Sequence, residues 1–172
     1  MILTKPDIVA AWDEGKIKID PFASNKLNPN SYNLTLKPEL SIYRAVVLDP
    51  KVEHPLQKFV IPEDGFILYP GTLYLGSTLE YTETHFPYVP MVEGRSSWGR
   101  LGLFVHVTAG FGDVGYCGTW TLELSVIHPL KIYPNMEICQ IFYHIASSPT
   151  EPYNGKYQHA DRTIPSRIRD EC

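Results

Sequence analysis

The sequence predicts a mainly β protein: an antiparallel sandwich or barrel, entered through a short N-terminal helix and followed by a polar C-terminal arm. Two observations carry that reading. Apolar and polar residues alternate in short runs such as SYNLTLK and TLELSV, the period of a half-buried strand. Fifteen prolines and twelve glycines separate these runs, so turns recur at short intervals. At 172 residues the chain is long enough for one real core and is most simply a single domain.

The helix comes first. Thr4 is a candidate N-cap with Asp7 three residues on, Pro6 is tolerated in the first turn, and Ile8, Val9 and Trp12 share a face. Gly15 is a natural stop, and Ile17 and Ile19 beyond it alternate with Lys18 and Asp20 as in a strand. Leu34 and Leu36 alternate next. Phe66 and Leu68 lead into a Pro70-Gly71 turn, with Leu73 and Leu75 alternating after it. Leu122, Leu124 and Val126 form the clearest strand face, and Ile138 to Tyr143 gives a last apolar run. Residues 147–172 change character: they are polar and carry Lys156, Arg162, Arg167 and Arg169. Such a C-terminus is more often a solvated tail. Tyr153 and Tyr157 around Asn154-Gly155-Lys156 are unusual in disorder, and a lid over a ligand is the other reading.

Composition excludes several partners. A net charge of −4 argues against a general polyanion binder, so no nucleic-acid partner is expected, while a local basic site remains open. The start, MILTKPDIV, has no apolar signal region, and no run approaches the ~18 apolar residues of a membrane span. Cys117, Cys139 and Cys172 are odd in number and widely spaced, which suits unpaired thiols in the cytoplasm.

The densest polar chemistry lies in EGRSSWGRLG, residues 93–102. Ser96 could cap a short helix running to Leu101, with Gly102 as its stop. Ser96 and Arg100, at i and i+4, would share a face, and Arg95 offers a guanidinium suited to phosphate oxygens. A surface turn with paired arginines and an anion site weigh about evenly on these residues. Glu123 lies opposite the apolar face of TLELSV; an exposed glutamate is the commoner outcome, and a general base lining a cleft is the other. A zinc deaminase needs His-x-Glu and Pro-Cys-x-x-Cys. His106-Val107-Thr108 and a lone Cys117 are the nearest approach, so no protein-bound zinc is expected. Neither a Walker loop nor a Gly-x-Ser-x-Gly elbow is present.

EGRSSWGRLGLFVHVTA, followed by Asp113, Gly115, Gly118 and TLEL, resembles the dCTP deaminase family of the dUTPase-like superfamily. MILTKPDIVAAWDEGKIKIDPF, LNPNSYNLTL, YNGKYQ and PSRI extend the resemblance over nearly the whole chain. It implies a distorted β-barrel of jelly-roll type, one domain over 1–172 with 147–172 as an arm covering the substrate. It also implies a homotrimer with active sites between subunits. By resemblance Glu123 is the general base that activates water for attack on C4 of cytosine, with Ser96 and Arg100 orienting water and base and the Ala109 carbonyl positioning the water. Asp113 matches the deoxyribose contact; Arg95, Ser97, Tyr153, Lys156 and Gln158 match triphosphate contacts; Thr121 and Leu122 fall among the substrate-binding positions. Magnesium would ride on the triphosphate without a protein ligand, and dTTP is a candidate feedback inhibitor.

The leading expectation is hydrolysis of dCTP to dUTP and ammonia, feeding dUMP and dTTP synthesis. The alternative is a bifunctional enzyme continuing to dUMP and pyrophosphate, because Ala109-Gly110-Phe111 resembles the form seen in such members. A plain dUTPase is disfavoured by Ser96-Ser97 and the Gly-Arg-Leu-Gly continuation, and a non-catalytic nucleotide-binding regulator by the intact Glu123, Ser96 and Arg100. Besides Ala109-Gly110-Phe111, three departures from the family pattern stand out. Asn33 replaces a usual aspartate; Gly112 and Val114 suggest a looser sugar-and-base loop; Ala160 suggests a missing phosphate contact.

Overall fold

The structure is a computed structural model describing residues 1–106 and 109–172. Its elements begin with α1 (Lys5–Asp13), β1 (Ile17–Asp20), β2 (Tyr32–Thr35), β3 (Glu39–Tyr43), β4 (Leu56–Val60), β5 (Phe66–Leu68) and β6 (Tyr74–Ser77). They continue with β7 (Tyr81–Thr84), β8 (Tyr88–Gly94), α2 (Ser96–Gly99), β9 (Leu103–Phe104) and β10 (Cys117–Gly118). The last are β11 (Thr121–Val126), β12 (Leu130–Ile132), β13 (Glu137–Ile145) and a 3-10 turn over Ile168–Glu171. No helix among the described residues is long and apolar enough to cross a membrane.

The strands form antiparallel sheets in the orders β4-β3-β6-β11-β9, β2-β13-β8, β1-β7-β10 and β12-β5. This is the predicted mainly β, jelly-roll type of packing, but no closed barrel forms among the described residues. The reason lies in strand length: β9 and β10 run for two residues each, and β5 and β12 for three, so the ladders end before the sheets meet. Leu34, Leu36, Leu122, Leu124, Ile138 and Ile141 are fully buried between the sheets. Each such side chain contributes roughly 1.5–3 kcal/mol of apolar burial.

Local chemistry explains the elements and corrects some boundaries. At α1 the Thr4 N–H donates to Asp7 Oδ2 at 3.0 Å, and Asp7 is held below the usual carboxylate range by its hydrogen bonds to Thr4. The buried face is Ile8 with Ala11 rather than Ile8, Val9 and Trp12. Trp12 instead stays exposed and stacks on Phe22 with ring centroids 4.5 Å apart. The strand expected around Leu73 and Leu75 begins at Tyr74, and all four of its residues are buried because β6 is the middle strand of five. In β11 the alternation is as read: Leu122, Leu124 and Val126 are buried, and Thr121, Glu123 and Ser125 face the other way, half-exposed.

The C-terminal segment is no solvated tail. Tyr153 N–H donates to the Val114 carbonyl, His159 N–H to Cys117 and Thr119 N–H to Ala160, each at 2.7 Å. Ala160 is buried, bridged in parallel to Gly118. Further on, Ser166 N–H donates to the Tyr43 hydroxyl at 2.8 Å and Arg169 pairs with Glu53 at 2.6 Å.

Candidate active site

A cleft of about 720 Å³ opens where β6 and β11, the segment 109–113, the loop between β3 and β4, and the C-terminal arm converge. The register of β11 against β6 sets Glu123 opposite Leu75, and both line it with Thr121. The strand that buries Leu122 and Leu124 therefore turns Glu123 into the cleft, because successive side chains take opposite faces. Ala109 and Asp113 reach the same space because their segment is stitched along β8. Val92 N–H donates to the Gly110 carbonyl at 2.8 Å, Gly112 N–H to the Pro90 carbonyl at 3.0 Å, and Phe111 bridges Met91.

The arm forms the outer wall. Tyr153, Tyr157 and Ala160 line the cleft, and Tyr116 and Trp120 supply aromatic faces behind them, with rings 4.8 Å apart. Burial raises the Tyr116 phenol well above its ordinary range, with Tyr153 beside it adding to the effect; it stays neutral and donates to the Thr119 carbonyl at 2.8 Å. Burial also pushes up the Cys117 thiol, so it stays protonated and is no nucleophile at neutral pH.

The predicted site residues therefore fall into groups. Glu123, Thr121, Ala109, Asp113 and Tyr153 meet in the cleft. The Leu122 side chain does not: it is wholly buried in the core, because it is the inward member of the β11 alternation. Lys156 points into the arm's own end, donating to the Arg167 carbonyl at 2.9 Å and pairing with Glu171. Gln158 spends its carboxamide on backbone: Oε1 accepts from Cys117 N–H at 2.8 Å, and Nε2 donates to the carbonyls of Gly115 at 2.8 Å and Tyr153 at 3.0 Å. In this arrangement both side chains hold the arm rather than open to the cleft.

Arg95, Ser96, Ser97 and Arg100 sit elsewhere, on and beside α2, and none lines the cleft. Arg95, not Ser96, is the N-cap, so Ser96 is the first helical residue and its carbonyl accepts from Arg100 N–H at 3.0 Å. The helix stops at Gly99 and the chain turns through Gly102 at φ +78°, the left-handed region that glycine enters without strain. Ser96, Ser97 and Arg100 are exposed, whereas Arg95 is half-buried against Glu137. Val107 and Thr108 of the EGRSSWGRLGLFVHVTA motif lie outside the described residues.

The departures acquire physical content. Gly112 does not loosen its loop: it is buried, and a Cβ there would come within 2.4 Å of Trp120 Cη2 and 2.9 Å of Pro90 Cγ. Trp120 fills the space a branched side chain would need, and Val114 is buried too. Ala160 lines the cleft without a side-chain donor, while its carbonyl anchors Thr119. Asn33 is buried, with Nδ2 2.8 Å from Glu137 Oε2 and Oδ1 accepting from Asn28 at 2.8 Å.

Sequence reasoning missed the loop between β3 and β4, whose Leu48, Pro50 and Val52 line the cleft mouth. The available signal was the run of four consecutive apolar residues, Ala45, Val46, Val47 and Leu48, between Arg44 and Asp49. Tyr43 and Trp120 were also missed, because their convergence depends on strand order rather than on local pattern.

This combination of antiparallel sheets, a carboxylate-lined cleft and an arm across it defines a dUTPase-like architecture. Among solved structures, the 2'-deoxycytidine 5'-triphosphate deaminase of Agrobacterium tumefaciens is similar with a TM-score of 0.68 at 22% identity over 84% of this chain. The present chain spans about half of that one, 48%. A dUTPase of Staphylococcus bacteriophage 80alpha is similar with a TM-score of 0.50 at 11% identity, covering 83% of this chain and 98% of that one. A family model described as dCTP deaminase-like matches residues 2–146, and the chain belongs to that family. A relative from Clostridium botulinum (strain Eklund 17B / Type B), named dCTP deaminase, dUMP-forming, is 54% identical over 96% of this chain and 95% of its own. One of the same name from Cytophaga hutchinsonii is 58% identical over 88% of each chain. These names correspond to the bifunctional alternative and give no support to an enzyme that stops at dUTP.

Proposed function

We propose that the protein hydrolyses dCTP to dUMP, ammonia and pyrophosphate. The observation that carries this reading is the meeting of Glu123, Asp113 and Ala109 in one cleft beneath an aromatic arm. Glu123 takes a proton from water, which adds to C4 of the cytosine; the proton is passed to the departing amine, and ammonia leaves. A second water, activated by Asp113, attacks the α-phosphate and releases pyrophosphate. General-base catalysis supplies about 10²–10⁴-fold, so the rest falls to positioning and to fixed dipoles in a site the arm screens from solvent.

Magnesium enters as part of the nucleotide. Among the described residues no group of three or more His, Cys, Asp or Glu gathers to hold a metal, and the donors assigned to phosphate, Arg95 and Ser97, suit oxygens rather than cations. The triphosphate-bound ion would neutralise phosphate charge.

The assembly we assign is a homotrimer in which α2 of one protomer reaches the cleft of the next. It is supported by the exposure of Ser96, Ser97 and Arg100 away from their own cleft, and by neighbouring Leu101, Phe104 and Ile127, each half-exposed and in need of cover. Chromatography of products after incubation with dCTP and magnesium tests the reaction. dUMP with pyrophosphate is expected; accumulation of dUTP limits the enzyme to deamination, and unchanged dCTP overturns the reading.

A further inference from the structure

Arg95 is held by one residue, through two different groups. Its Nη1 donates to the Glu137 carbonyl at 2.8 Å and lies 3.4 Å from Glu137 Oε2. The same carbonyl accepts the Trp98 indole N–H at 2.8 Å, so the main chain of Glu137 pins both ends of the α2 turn. The carboxylate is aimed in turn: Asn33 Nδ2 donates to Oε2 at 2.8 Å. Oε2 thus takes the Asn33 hydrogen bond and stands at ion-pair distance from Arg95 Nη1.

This arrangement leaves the guanidinium usable. Only Nη1 is engaged, and the Nε–Nη2 edge has no partner among the described residues. That edge is the side-on fork which takes two oxygens of one phosphate. A free arginine would spread over many rotamers and lose entropy on ordering; one tethered at Nη1 has already lost it.

We propose that Glu137 is a positioning residue for the nucleotide's triphosphate: its carboxylate, set by Asn33, fixes the Arg95 guanidinium by Nη1 and leaves the Nε–Nη2 edge open to phosphate oxygens. The inference rests on the reading of Arg95 as a phosphate contact. It also couples positions 33 and 137, since a carboxylate at 33 would face Glu137 at hydrogen-bond distance, where the present amide donates.

Three variants and two readouts test it in the full-length protein. Glu137→Ala keeps the carbonyl that docks α2 and removes only the carboxylate. It is expected to raise KM for dCTP about three- to fivefold with kcat within about twofold, and to weaken binding of inorganic triphosphate, read by calorimetry, by the same factor. Glu137→Gln retains an acceptor at the Oε2 position and is expected to restore both values. If Arg95→Ala weakens triphosphate binding while Glu137→Ala does not, the positioning role falls and the phosphate reading survives. If Arg95→Ala leaves triphosphate binding unchanged, the phosphate reading falls and takes the inference with it. Glu137→Gln as impaired as Glu137→Ala, or a loss confined to kcat, also overturns the proposal.

Discussion

The Gln158 carboxamide closes on the Cys117 backbone: Oε1 accepts the Cys117 N–H at 2.8 Å, while Nε2 turns back to the Gly115 and Tyr153 carbonyls. One side chain thus ties the start of the arm to β10, directly beside the cleft. Each such bond contributes about 1 kcal/mol net, and a buried N–H left without a partner costs more. Gln158→Ala is therefore expected to loosen the arm without unfolding the body. Amide exchange over residues 153–160 should speed by at least about tenfold while the midpoint of global unfolding stays nearly fixed. Unchanged exchange would show that the backbone bonds of the arm suffice.

Glu123→Gln keeps size and hydrogen bonding but removes the base. Ammonia release from dCTP is expected to fall by about 10²-fold or more, with dCTP affinity within about threefold. With dUTP supplied directly, Asp113→Asn rather than Glu123→Gln is expected to lose pyrophosphate release. Wild-type deamination by Glu123→Gln would remove the residue from the mechanism.

Gly112 and Trp120 should behave as a pair. Gly112→Ala drives a methyl against the Trp120 ring and Pro90, and overpacking of that kind costs roughly 1–3 kcal/mol. Trp120→Phe alone leaves a gap and loses the indole bond to Thr82 Oγ1 at 2.9 Å. The double variant is expected to be less destabilised than the sum of the two, by about 1 kcal/mol, in a chemical-denaturation cycle. Strict additivity would show that the loop moves instead.

His106 makes the fold acid-sensitive. Its ring nitrogens are out of solvent without a partner among the described residues, and burial lowers its pKa from 6.5 to about 4. Below pH 6.5 the unfolded chain binds a proton that the folded chain refuses until about pH 4, so stability falls as pH drops through that window. The full loss, once pH has fallen below both values, is roughly 3 kcal/mol. His106→Leu is expected to flatten the difference between melting temperatures at pH 7 and pH 5; an unchanged difference would assign the acid sensitivity to other groups.

Much of the fold was written in local pattern. The TLELSV alternation placed Glu123 on the correct side of β11, and the tyrosines of YNGKYQ marked a segment too aromatic for a free tail. What local pattern does not carry is distance in sequence. Trp12 left the helix face because Phe22, beyond a turn and a strand, offered it a stacking partner. Gly112 read as slack because Trp120, eight places on, was not known to lie over it. The tie of Gln158 to β10 and its approach was equally illegible, because only the folded arm brings both ends of its amide to those backbone groups.

The absence of Arg100 and its neighbours from their own cleft has a genetic consequence. Two inactive proteins, one carrying Arg100→Ala and one Glu123→Gln, each retain the half-site the other lacks. In the proposed assembly, reassociation of equal amounts gives about a quarter of all sites an intact half from each parent. Two dead alleles should therefore rescue one another in one cell, and neither should rescue itself.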